Sequence, residues 1–215
     1  MIVLGLDTAS PACSVAVMRA GEVLATRSEP MLRGHQERLA AMTAEVMQAA
    51  GLAFADLDRI AVTIGPGSFT GLRVGLAFAK GLALALDRTC VGVGDLHALA
   101  ASAGAGGAVV AVIDAKRGQV YLQAFEGDAA LSAPAALDLA EAAARLVDLS
   151  ASGPVTLVGS GAPLLAAASP GARVIALEAP DPGVVARLGA AAARVPPRPL
   201  YLRAPDARLP GGQRP

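Results

Sequence analysis

Two aspartates, Asp7 and Asp114, each close an apolar run and are each followed by a polar turn and a second apolar run; no other feature constrains the fold as much. The first run is Ile2 to Leu6, the turn passes through Thr8, Ala9, Ser10 and Pro11, and further runs follow from Ser14 to Met18 and, after Gly21, from Glu22 to Ala25. Downstream, Val109 to Ile113 closes on Asp114, a turn runs through Lys116, Arg117 and Gly118, and Gln119 to Phe125 leads to Gly127. Aspartate and hairpin glycine are 14 residues apart in the first copy and 13 in the second. Short apolar runs bounded by turn residues predict a strand meander, and its recurrence predicts an internal duplication.

Helices and further strands follow each meander. His35 to Ala50 places Leu39, Met42, Val46 and Ala49 on one face, and Gly51 stops the helix. Arg59 to Ile64 is read as a buried strand and Leu72 to Leu86 as a second helix. In the second half, Leu137 to Leu149 is read as a helix, and Val155 to Val158 and Arg173 to Leu177 as strands. Asp181 and Pro182 cap and open a helix that ends before Pro196. This order resembles the actin, hexokinase and Hsp70 superfamily: an α/β, actin-like (ASKHA, ribonuclease H-like) duplicated fold. The lobes are placed at 1–98 and 99–215, the second smaller and carrying a basic tail.

Composition narrows the function. With 54% hydrophobic and 17% charged residues, the chain can bury a sizeable core. Eighteen basic residues balance eighteen acidic ones, so any RNA contact has to be local. The local excess lies at the end, where Arg187, Arg194, Arg198, Arg203, Arg208 and Arg214 face Asp206 alone; a solvated tail is the simpler reading. No basic leader precedes the first strand, and Leu72 to Leu86 is broken by Arg73 and Lys80 and too short to cross a bilayer, so no membrane is expected. Cys13 and Cys90 have neither metal nor redox spacing, which fits reduced thiols in the cytoplasm.

The most distinctive stretch runs from Ile64 to Gly75. Thr70 stands where a dinucleotide fingerprint needs glycine, and no lysine completes a Walker loop. Pro66 and Thr70 likewise spoil a Gly-x-Ser-x-Gly elbow around Ser68, which reads instead as a helix N-cap. Gly67, Gly71, Gly75 and Ala79 recur every four residues and form a flat strip open to close backbone approach. Core burial and partner contact both fit the strip. The expectation carried forward is a partner interface of Leu39, Met42, Val46, Gly71, Gly75, Leu76 and Ala79, with Asp7, Thr8 and Asp114 as vestigial phosphate-loop positions. Val158 to Ala162, at the adenosine position of the superfamily, carries a thin glycine signal, so weak or vestigial nucleotide binding ranks ahead of ATP turnover.

Asp7-Thr8-Ala9, the Gly65 to Gly75 block, Ile113 to Tyr121 and Pro199-Leu200-Tyr201-Leu202-Arg203 together resemble the TsaB (YeaZ) family. The resemblance implies a non-catalytic scaffold that supports TsaD, the subunit that transfers threonylcarbamoyl to an adenosine beside the tRNA anticodon, with the TsaE ATPase in the same complex. It implies no cofactor and no metal, since TsaD carries its metal on a His-x-x-x-His pair and the corresponding run here is His35-Gln36-Glu37-Arg38-Leu39. One imidazole does not hold a transition metal without other strong donors. His97 pairs with no nucleophile in a recognisable motif. An M22-type metallopeptidase, an ATP-dependent enzyme, a homodimer through the same helices and direct tRNA contact stay open as alternatives.

Overall fold

The computed structural model describes residues 1–151 and 153–203. The first sheet holds β1 (Ile2–Asp7), β2 (Ala12–Arg19), β3 (Glu22–Pro30), β4 (Arg59–Thr63) and β5 (Thr89–Val93), in the order β3-β2-β1-β4-β5. β1, β2 and β3 form the antiparallel meander, and β4 and β5 continue parallel to β1. The second sheet repeats the plan: β6 (Ala108–Lys116), β7 (Gln119–Glu126) and β8 (Ala129–Ala130) form the meander, and β10 (Val155–Val158) and β11 (Arg173–Ile175) run parallel to β6. A short β9 (Ala135–Asp138) pairs with β7. The two sheet orders match strand for strand, as a duplication requires.

Alternation along β1 decides what covers each face. Leu4 and Leu6 turn to one side and join Val15, Val17, Ile60 and Val62 under two helices, α1 (His35–Ala49) and α2 (Phe69–Leu86). Val3 and Ala61 turn to the other side and meet α6 (Pro182–Ala191). That helix sits close because glycines permit it: a Cβ on Gly5 would lie 2.5 Å from the Pro182 carbonyl oxygen, and one on Gly189 would overlap Ala61. Arg59, buried in β4, donates from Nη1 to the carbonyls of Gly189, Ala190 and Ala192 at 2.9–3.0 Å, neutralising the negative end of α6. The region placed in a second lobe at 99–215 therefore returns its last helix to the first sheet.

In the second sheet α4 (Leu139–Ser150) and the single turn α5 (Ala162–Leu165) cover Val110, Val112 and Leu122. Between the sheets lies α3 (Asp95–Ser102): Ala98 packs with the α6 cluster, while Leu96, Leu99 and Ala100 pack against Val109, Ala111 and Phe125. The N-caps read from sequence are in place, Ser68 accepting from Gly71 N–H at 3.2 Å and Asp181 from Gly183 N–H at 2.7 Å. β5 and α3 went unread, and α2 begins three residues earlier than expected. At 18 residues and a mean hydropathy of 1.4, α2 has the length and composition of a membrane span, yet its Gly71, Gly75 and Ala79 side is packed inside the lobe.

Candidate functional site

A cleft of about 430 Å³ opens where the carboxyl ends of β1 and β6 approach each other. Ser10, His35 and Ser68 contribute one wall, and Asp114, Lys116 and Ser160 contribute the other. Of the three residues expected at phosphate-loop positions, only Asp114 reaches this cleft. Asp7 is fully buried, and its Oδ1 accepts from Thr63 Oγ1 at 2.7 Å and Ala9 N–H at 2.9 Å. Its Oδ2 has no partner among the described residues, and burial pushes the carboxyl pKa up. Thr8 is buried too, donating from Oγ1 to the Gly71 carbonyl at 2.7 Å.

The glycine block explains this closure. Ser68 N–H donates to the Ala9 carbonyl at 2.8 Å, which draws the start of α2 onto the β1–β2 turn. A Cβ on Gly67 would come within 2.5 Å of the Ala9 oxygen, one on Gly75 within 2.5 Å of Thr8 Oγ1, and one on Gly71 would overlap the Thr8 oxygen. The strip thus meets the chain's own Asp7-Thr8-Ala9 turn. Thr8 and Ala9 turn their carbonyls onto the start of α2.

Asp114 is held differently. Its side chain is 25% exposed, its Oδ2 accepts from Lys116 Nζ at 2.7 Å, and its Oδ1 accepts from Lys116 N–H at 2.7 Å. The Lys116 ammonium keeps the Asp114 carboxyl below the usual carboxylate range. In the Val158 to Ala162 segment, a Cβ on Gly161 would lie 2.8 Å from Val112 Cγ1, and one on Gly159 would overlap the Val112 carbonyl oxygen. Both glycines serve packing on β6. Asp7 and Thr8 are thus closed off from the cleft, and Gly159 and Gly161 are packed against β6.

His35 is buried with Nε2 3.2 Å from the Ala12 carbonyl, and Leu39 is packed in the core. No three His, Cys, Asp or Glu side chains gather into a metal-holding group among the described residues. Burial raises both thiols, Cys13 and Cys90, to a pKa of about 11, so neither is a ready nucleophile. His97 stacks on Phe125 with ring centroids 5.0 Å apart and lies 3.6 Å from Asp128, which Arg187 holds at 2.9 Å.

The expected partner interface needs correction. Leu39, Met42, Val46, Leu76 and Ala79 lie together in the core of the first lobe, and Gly71 and Gly75 face Thr8. They form one cluster, but an internal one, because the apolar stripes of α1 and α2 both turn onto the sheet. The opposite sides stay uncovered. On α1, Ala40 and Ala44 are exposed; on α2, Ala77, Gly81, Ala85 and Leu84, the last at 85% exposure, face outward. A shallow groove between the helices is floored by Leu39, Val74 and Phe78. At its end Arg73 covers the Phe69 ring at 3.7 Å, and Phe69 packs on Tyr201 at 5.4 Å. The all-round apolar character of α2 was the signal for this second face.

Comparison with known proteins places this architecture. Residues 25–169 match the family model of TsaD, tRNA N6-adenosine threonylcarbamoyltransferase. The tRNA threonylcarbamoyladenosine biosynthesis protein TsaB of Escherichia coli is 37% identical over 131 residues, which cover 60% of this chain and 56% of that protein. The TsaB of Haemophilus influenzae is 39% identical over 56% of this chain and 52% of its own length, so the chain spans little more than half of these relatives. An uncharacterized protein of Mycobacterium tuberculosis is 36% identical over 96% of this chain and 93% of its own. Among solved structures, an uncharacterized Pseudomonas aeruginosa protein with similarity to peptidase YeaZ is 30% identical and superposes over 94% of this chain and 99% of its own, with a TM-score of 0.77. A hexokinase from Thermus thermophilus, 16% identical with a TM-score of 0.55, shares the fold alone.

Proposed function

The chain belongs to the TsaB (YeaZ) family, and from that premise we propose that it is a non-catalytic subunit in tRNA threonylcarbamoyladenosine biosynthesis that docks on TsaD. The observation that carries this reading is the uncovered apolar side of α1 and α2, next to a phosphate loop and a metal position both filled by the chain's own core. Ala40 and Ala44 on one helix and Ala77 and Gly81 on its neighbour make a flat surface that an equivalent helix pair can approach closely, giving a four-helix contact. The TsaE ATPase belongs to the same assembly, and any nucleotide in the interlobe cleft is held weakly and not turned over. This chain's residues supply no general base, nucleophile or metal to the reaction; their contribution is to hold the catalytic subunit in its working state.

Depleting the protein and measuring threonylcarbamoyladenosine in bulk tRNA by nucleoside mass spectrometry tests the assignment. The modification is expected to fall. Unchanged levels in a depleted strain reject the reading. A homodimer through the same face is the rival use of the surface, and sedimentation with and without TsaD separates the two.

A further inference from the structure

At the far end of α2 lies a second depression, of about 470 Å³, distinct from both the interlobe cleft and the α1–α2 groove. Three cations from three separate segments line it: Lys80 from α2, Arg88 from the α2–β5 turn, and Arg194 from the chain after α6. No carboxylate is among its lining residues. Several of the other basic groups are paired within the protein. Arg27 and Arg38 pair with Glu45 and Glu29, Arg187 pairs with Asp128, and Arg59 caps α6. Lys80, Arg88 and Arg194 take part in none of the ion pairs of the described residues.

Arg88 is also held in place. Its Nε donates to the Leu57 carbonyl at 2.6 Å, its Nη2 to the Ala55 carbonyl at 3.3 Å and its Nη1 to the Asp87 carbonyl at 3.4 Å, so the guanidinium is fixed while part of its donor fork remains free. Side chains that only donate suit phosphate oxygens, which only accept, whereas a peptide backbone presents donors and acceptors in equal number. The remaining lining is Ala83, Leu84, Thr89, Cys90, Pro196 and Pro197, uncharged and without an aromatic ring for a base to stack on. A surface of this kind touches the sugar-phosphate backbone without reading sequence. We propose that this depression binds the phosphate backbone of RNA. The inference rests on the reading of the protein as a tRNA-modification subunit, which makes RNA the polyanion at hand, and adds a place for it on this subunit.

The test is fluorescence anisotropy of a labelled, unmodified tRNA transcript titrated with the isolated full chain at several salt concentrations. The wild type is compared with the double variant Lys80→Glu/Arg194→Glu, whose two positions are exposed and bear no structural hydrogen bond in the described residues. The variant is expected to melt like the wild type, to bind tRNA at least about tenfold more weakly at low salt, and to lose roughly two units from the log-log salt slope. Unchanged affinity and slope in the folded variant overturn the proposal, as does a wild type that does not bind tRNA. Displacement of the transcript by polyglutamate at a lower concentration than by unlabelled tRNA assigns the site to an acidic protein instead and also overturns it. TsaD binding is measured in parallel on both proteins and is expected to be the same. If the wild type holds TsaD but the variant binds tRNA normally, only this inference fails; if the wild type does not hold TsaD, the function proposed above fails.

Discussion

At the scale of single residues, the buried carboxyls carry the most distinct consequences. Asp95 accepts from Gly65 N–H through Oδ2 at 2.5 Å, while its Oδ1 is buried without a partner among the described residues. Burial first, and then the nearby charge of Asp7, raise its pKa well above the carboxylate range. The folded state therefore binds the proton more tightly than the unfolded chain. The stability this supplies is complete below the unfolded value of 3.8 and is lost as pH rises toward the raised folded value. Asp95→Asn keeps an acceptor for Gly65 without the charge. It is expected to raise the melting temperature at pH 8 by roughly 2–6 °C, with the gain shrinking toward pH 4; scanning calorimetry across that range checks both sign and trend. Gly71→Ala is expected to act in the opposite direction, costing about 1–3 kcal/mol in a urea titration, because its Cβ would overlap the Thr8 carbonyl. Ser68 and Asp181 were legible as cap residues because their roles are local. The orphaned oxygens of Asp7 and Asp95 were not, since their surroundings come from distant segments: Thr63 lies 56 residues from Asp7 and Gly65 lies 30 residues from Asp95.

At the scale of elements, periodicity identified stripes without saying which body they face. Leu39, Met42 and Val46 do lie on one side of α1, as their spacing indicated, but that side packs on the chain's own sheet. The difference is physical: an amphipathic helix turns its strongest apolar stripe to the nearest large core, and the sheet is closer than any partner. Met42→Arg is therefore expected to unfold the first lobe, seen as loss of the cooperative melt by circular dichroism, and not to produce a folded protein that fails to bind. α6 shows the limit in another form. Asp181 and Pro182 marked its start, but its return to the first sheet depends on Gly5 admitting Pro182 and Ala186 and on Gly189 admitting Ala61, and no local pattern records those approaches. The short β5, which carries Gly92, went unread for the same lack of periodicity.

For the whole molecule, the duplication legible in two aspartates and two hairpin glycines fixed the two-sheet plan, and contacts between the halves set how they work together. Arg187 on α6 grips Asp128 in the β7–β8 turn, with His97 of α3 alongside, so one small polar cluster ties the first sheet's helix to the second sheet. Both partners are about half exposed, and the pair contributes little to global stability. Arg187→Met is expected to leave the melting temperature nearly unchanged while speeding hydrogen exchange in the β7–β8 turn. The central claim is that the protein acts through the outer side of α1 and α2. Isothermal titration of TsaD with wild type and Ala77→Arg tests it most directly, since Ala77 is exposed and can be changed without entering the core. The account predicts a variant that melts like the wild type and binds TsaD at least about tenfold more weakly, a loss of roughly 1.4 kcal/mol or more; a folded Ala77→Arg protein that binds TsaD with wild-type affinity contradicts it.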